Sequence, residues 1–185
     1  MKRKLAIIFG VIAVLAILSF GTYAYFTADQ TAENVITTGN VKLEIHEKTA
    51  TGEDFPKEGI SVMPGDTVSK IVTVENTGDH PLYLRIKLTE GVSDEALTTD
   101  DCLDIDINRT NWIEKDGYYY YYRPLQSGET TEQLFSEVYF DINAVDNKYL
   151  GKYFTLNVSA SAVQSENNGA DVLSAVGWPE EEASS

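Results

Sequence analysis

The 185-residue chain carries 14 lysines and arginines against 29 aspartates and glutamates, a formal net charge of −15, with 43% hydrophobic and 11% aromatic residues. So acidic a surface repels nucleic acid and anionic lipid, and neither is expected as a partner. Cys102 is the only cysteine, which excludes an intrachain disulfide, and the apolar content suffices for one well-buried domain rather than two.

The chain opens on Lys2, Arg3 and Lys4, followed by an apolar and small-residue run from Leu5 to Leu18 and then Ser19-Phe20-Gly21-Thr22-Tyr23-Ala24. A cationic start, a short apolar stretch and small residues before a polar chain are the layout of a secretory signal. At about 1.5 Å per residue the apolar run spans roughly 21 Å, short of the ~30 Å hydrocarbon core. Counted through Phe26 it reaches about 33 Å, enough to span a membrane if it is never cut. The expectation is cleavage with Thr22 at −3 and Ala24 at −1, so that residues 1–24 leave and Tyr25 becomes the new N-terminus outside the cytoplasm. The remaining 161 residues then hold eleven basic against 29 acidic side chains, a net charge of −18.

Residues 25–38 follow as an N-terminal strand, and residues 39–178 alternate with period two almost throughout. Val41, Leu43 and Ile45 alternate with Lys42, Glu44 and His46; Val68, Val72 and Val74 share a parity; Leu82, Leu84, Ile86 and Leu88 alternate with Tyr83, Arg85, Lys87 and Thr89. Glu90 to Asp101 reads as a long loop. Leu103, Ile105 and Ile107 alternate with aspartates, Val138, Phe140 and Ile142 follow suit, and Phe154 to Ala162 is the longest alternation. Pro64-Gly65-Asp66, Asn76-Thr77-Gly78-Asp79 and Gln126-Ser127-Gly128-Glu129 are turn signals, and Asp116-Gly117 before Tyr118–Tyr122 is a two-residue hairpin signal. Asn168 to Val176 is the one candidate helix, and residues 179–185 read as a disordered acidic tail. The pattern predicts an all-β fold, an antiparallel jelly-roll-like or immunoglobulin-like β-sandwich of about eight strands.

Catalytic chemistry is hard to find. His46 and His80 fall on a strand and in a turn, with no His-Glu-x-x-His helix or other close ligand pair to hold zinc. No Gly-x-Ser-x-Gly elbow is present, and nothing marks a histidine partner for Cys102, which reads as a small buried thiol. Asp100, Asp101, Asp104 and Asp106 offer oxygen ligands for calcium but lack the glycine and terminal glutamate of an EF-hand loop, and alternating aspartates on a strand are ordinarily its solvated face. Tyr118–Tyr122 offers rings to a glycan, against the alternative of core packing on one face and cross-strand pairing on the other. No catalytic residue, cofactor or metal ligand is therefore expected.

Gly21 to Thr31 and Thr38 to Leu43 resemble the export signal and first strand of the TasA/camelysin family, secreted proteins of Gram-positive bacteria processed by a SipW-type signal peptidase. Met63-Pro64-Gly65-Asp66, Val72 to Gly78, the Trp112–Leu125 hairpin, and Ala162-Val163-Gln164 before Asn168, Ala170 and Trp178 are similar to the family in order and character. The resemblance implies a jelly-roll fold and, for one branch, extracellular matrix fibres in which the N-terminal segment of one subunit adds as a strand to the next. The partners it implies are further copies of the chain or related matrix subunits, together with the peptidase that removes the signal. Residues Tyr25, Phe26, Val35 and Ile36 are the apolar members of the candidate donor segment, freed when the signal is cut. The same segment can instead pair within its own subunit. The camelysin branch also carries a metallopeptidase label, for which these residues supply no zinc motif. Two competing readings stand beside the fibre subunit: a surface binding module, which needs exposed tyrosines beside a groove, and a metallopeptidase, which needs His46 and His80 to converge with a carboxylate.

Overall fold

The computed structural model describes residues 26–29, 34–37, 41–57 and 60–179. These form twelve strands: β1 (Phe26–Asp29), β2 (Asn34–Thr37), β3 (Leu43–Lys48), β4 (Ile60–Val62), β5 (Thr67–Ser69), β6 (Ile71–Asn76), β7 (Leu82–Val92), β8 (Leu103–Ile105), β9 (Trp112–Lys115), β10 (Tyr118–Tyr121), β11 (Glu137–Phe140) and β12 (Tyr153–Gln164). One 3₁₀ turn, Asn147–Tyr149, precedes β12. The fold is all-β, as the alternation predicts, and no helix among the described residues is long and apolar enough to cross a membrane.

The largest sheet runs β4-β1-β12-β7-β10-β9, with β2 also on β12. Its spine is the antiparallel ladder of β7 and β12, in register over eleven residues from Phe154↔Val92 to Gln164↔Leu82. Size complements size along it: Ala160 sits opposite Ile86 and Ala162 opposite Leu84, all four fully buried. A branched side chain fills the space its small partner leaves, which is how interiors reach crystal-like density. The expected hairpin is β9–β10, whose turn residues Asp116 and Gly117 have φ of 52° and 78°. Both positive angles mark the turn type whose twist matches paired strands.

Two smaller sheets, β3-β6 and β5-β11-β8, complete the ladders. They are joined, because β5 and β6 are one extended run interrupted only at Lys70, and residues 128–136 follow its far side. Asn76 donates to the Glu129 carbonyl, Thr131 to Val74, Leu134 to Val72, and Lys70 to Ser136. A single apolar core collects Ile45 from β3, Val72 and Val74 from β6, Leu84 and Ile86 from β7, Trp112 and Tyr121 from the hairpin, Phe140 from β11 and Phe154 from β12.

Three expectations change. Breaks such as the one at Lys70, and the short strands β1, β2 and β4, raise the strand count from about eight to twelve. The loop expected from Glu90 starts later, because the ladder to β12 carries β7 on to Val92. Asn168–Val176 is not a helix but a set of turns. Asn168 donates to the carbonyls of Gln164 and Val176 and accepts from the Val176 amide, and Ser174 accepts from the amides of Ala170 and Asp171. Short polar side chains here take the backbone groups a helix would need.

Glu47 and Lys70 form an ion pair within the core. Glu47 lies on the inward parity of β3, opposite Val72, and its carboxylate is 3.1 Å from the Lys70 ammonium, with the two side chains 9% and 6% exposed. Lys70 also donates to the Leu156 carbonyl of β12 and lies 5.0 Å from the Phe55 ring centre. Burial pulls its ammonium below the ordinary lysine value, with Glu47 opposing. Lys70→Met leaves the carboxylate in the core without its cation and is expected to cost about 3–5 kcal/mol, whereas Lys70→Met with Glu47→Leu is expected to recover most of that loss. Urea unfolding of the single and double variants measures both.

Candidate functional site

The outer face of the β3–β6 ladder carries one convergent set of potential ligands. The register places Glu44 directly opposite Glu75 and His46 opposite Thr73, so these side chains share a face while Ile45 and Val74 point into the core. His46 Nε2 is 3.0 Å from a Glu75 carboxylate oxygen, and His46 Nδ1 is 3.8 Å from Glu44. One ligand atom from each of the three lies within 4.8 Å of the others, and this is the one such group of three or more among the described residues. His80, the other histidine expected to converge if the chain were a peptidase, is not in it. It sits in the turn after β6, where its carbonyl accepts from the buried Asn76 side chain. The donor set fits a divalent ion in kind and number: one imidazole nitrogen, two carboxylates and room for solvent. Catalysis asks for more. With both carboxylates spent as ligands, no further acid of the group is left as general base. The open groove of about 310 Å³ between β4 and β5, lined by residues such as Phe55, Ile60, Val62 and Val68, does not include these three.

Of the four aspartates, Asp106 is employed otherwise. Asp106 accepts from the amides of Ser136 and Glu137 and from the Ser136 hydroxyl, tying the end of β8 to β11. Cys102 is buried, with its thiol 3.8 Å from the Thr98 carbonyl. That carbonyl also accepts from the Tyr149 hydroxyl, which the neighbouring thiol, together with burial, pushes up to about 12.

The tyrosine run is packed on both sides except at its end, where Tyr122 is exposed. Tyr121 lies in the core 5.1 Å from the Trp112 ring, with its hydroxyl on Glu132. Tyr118 and Tyr120 point the other way, beneath the C-terminal segment, where Tyr83, Tyr120, Val163, Val172 and Ala175 form a second apolar cluster. The Arg85 guanidinium is inserted between the rings of Tyr118 (3.9 Å) and Trp178 (4.7 Å), and it donates to the Pro179 carbonyl. The part of that face at Tyr118 and Tyr120 is thus covered by the chain itself, while Tyr122 stays exposed. Pro179, where the acidic tail was expected to begin, is buried, and residues 180–185 lie outside the described residues.

The expected cleavage residues Thr22, Ala24 and Tyr25 also lie outside the described residues. Phe26 belongs to β1, and Val35 and Ile36 to β2. Both strands run parallel to β12 of their own chain, on the edge opposite β7, with registers Thr27↔Tyr153 to Asp29↔Thr155 and Asn34↔Ser159 to Thr37↔Ala162. β1 in turn receives β4.

Fold and geometry together define an all-β protein whose distinctive chemistry lies in one surface cluster and one sheet edge. The chain belongs to the camelysin metallo-endopeptidase family, the family of TasA, whose profile matches residues 1–106, from the N-terminus through β8. No curated protein and no solved structure matches it. The resemblance read from the sequence is therefore borne out at the level of the family. Neither Glu75 as a neighbour of His46 nor Glu47 as a partner of Lys70 was found from sequence. The second had a signal, since Glu47 continues the apolar parity of Leu43 and Ile45.

Trp178→Ala removes one wall of the Arg85 stack and the edge contact with Tyr120, 5.8 Å between ring centres. With the indole only half-buried, the expected loss is about 1–3 kcal/mol in urea unfolding, below the range for a fully buried tryptophan.

Proposed function

We propose that the protein is a secreted structural subunit of the bacterial cell surface or biofilm matrix, exported by its cleaved N-terminal signal and assembling into fibres, or accessory to them, by strand donation. On this reading the sheets form a jelly-roll-like sandwich, the signal leaves after Ala24 through a SipW-type peptidase, and the partners are further copies or related matrix subunits. The observation that carries the reading is the place of β1 and β2. They occupy an edge of β12 in parallel, and they belong to the segment that signal removal would free. Any segment with the same sequence can form the same main-chain hydrogen bonds there, including one from a neighbour. Assembly is then an exchange: the intramolecular strand leaves and an identical intermolecular one takes its register, which is a low-cost route to oligomers because the contacts are unchanged.

A cysteine pair placed at the Cα partners Thr27 and Tyr153 tests this directly. Oxidised Thr27→Cys/Tyr153→Cys protein, beginning at Tyr25, is expected to stay monomeric in size-exclusion chromatography and to form no fibres under the electron microscope. Reduction is expected to restore assembly to the wild-type level. Fibres from the oxidised pair, or a wild type that remains monomeric at every concentration, refute strand exchange.

The family name favours a second reading, a metallopeptidase centred on Glu44, His46 and Glu75. Lacking a spare carboxylate as base, the cluster is expected to support no proteolysis: casein incubated with zinc-supplemented protein should be cleaved no faster than with His46→Ala. Chelator-sensitive cleavage lost in that variant would establish the peptidase instead.

A further inference from the structure

We infer that Glu44, His46 and Glu75 form a non-catalytic binding site for a borderline divalent transition-metal ion of the zinc class, which staples β3 to β6 across the outer face of their ladder. Two features point to a cation. The first is the donor set itself, three ligand atoms within 4.8 Å of one another, each borne by a strand rather than a loop. Strand-borne ligands are held by the ladder, here six consecutive Cα partners from Leu43↔Asn76 to Lys48↔Ile71.

The second feature is a charge imbalance. Like charges directly opposite each other across a ladder are destabilising, and Glu44 faces Glu75 in that way. The partner seen for both carboxylates among the described residues is the His46 imidazole, which is a cation only when protonated. Of the lysines on this face, Lys48 is taken by Asp54 at 2.5 Å, and Lys42, two residues before Glu44, is exposed and makes no ion pair with either carboxylate among the described residues. A bound divalent ion neutralises both carboxylates and leaves the imidazole neutral, the form in which it ligates.

Geometry and chemistry select the class of ion. Tetrahedral zinc at about 2.0–2.1 Å from each donor sets donors roughly 3.3 Å apart. The His46 Nε2 to Glu75 distance of 3.0 Å is close to that, and Glu44, with a side chain 60% exposed, closes the third position by rotation about its own bonds. An imidazole beside carboxylates suits zinc and its neighbours, whereas magnesium and calcium require oxygen donors throughout. Binding to the folded ladder alone raises stability in proportion to the logarithm of the ion concentration. The inference is independent of strand exchange, because β12 contributes no ligand.

The test is isothermal titration of zinc chloride into untagged, chelator-stripped protein beginning at Tyr25, with thermal unfolding followed in parallel. One ion per chain and a rise in midpoint temperature are expected. His46→Ala and Glu75→Gln are expected to weaken binding at least tenfold and to remove the thermal shift, while His80→Ala leaves both intact and magnesium chloride gives no response. Circular dichroism of each variant establishes that the fold is unchanged. Absence of one-to-one binding in the wild type, or binding undiminished in His46→Ala and Glu75→Gln, overturns the site. Loss in His80→Ala alone would place the ion elsewhere and overturn it equally.

Discussion

A β-strand in the middle of a sheet has two edges, and both must be hydrogen-bonded. β12 is the strand on which that requirement bears hardest. β7 fills one edge over eleven residues, while the other edge is filled by the two short parallel strands β1 and β2. Leaving buried amides and carbonyls unpaired costs about as much as each lost hydrogen bond, so the pairing of β1 and β2 with this edge stabilises the sheet. On the proposed function, the same segment of a neighbouring chain takes that place. β1 and β2 pair with β12 over only three and four residues, against eleven on the β7 edge. The rest of the molecule holds that edge in place.

It does so through two kinds of contact between layers. Most are apolar, as where Phe154 of β12 stacks on Tyr149 and meets Phe140 of β11 edge-on. The other is Lys70, which spans from Glu47 on β3 to the Leu156 carbonyl on β12. A buried ion pair adds little net stability over apolar residues of equal size, but it admits one arrangement only, because any slip of β3 against β6 would turn Glu47 to solvent and leave the ammonium alone. Its contribution is register more than energy.

Family membership and local chemistry point in different directions on catalysis. The family name carries a metallo-endopeptidase activity, and one histidine does meet two carboxylates on the surface. In the cluster Glu44 lies directly opposite Glu75 across the ladder, and His46 sits two residues along β3 from Glu44 and diagonal to Glu75.

Much of this was legible in the sequence because β-structure writes its pattern with period two. The alternations at Leu43–Ile45, Leu82–Leu88 and Phe154–Ala162 fixed which side chains enter the core, and Asp116-Gly117 fixed a hairpin, since both are decided by neighbours one or two residues away. The family could be read the same way, from short motifs in order. What only the tertiary structure decided is everything that depends on which strands lie side by side. His46 meets Glu75, 29 residues distant, because β3 pairs β6 in that register and no other. Tyr118 and Tyr120 are covered because residues 165–179 fold back over them and place Trp178 on Arg85. Asn168–Val176 turns rather than winding into a helix because its side chains bond its own backbone. Periodicity determines the face of a strand. Its partner is set by the closure of distant segments around a shared core, and no local pattern encodes that.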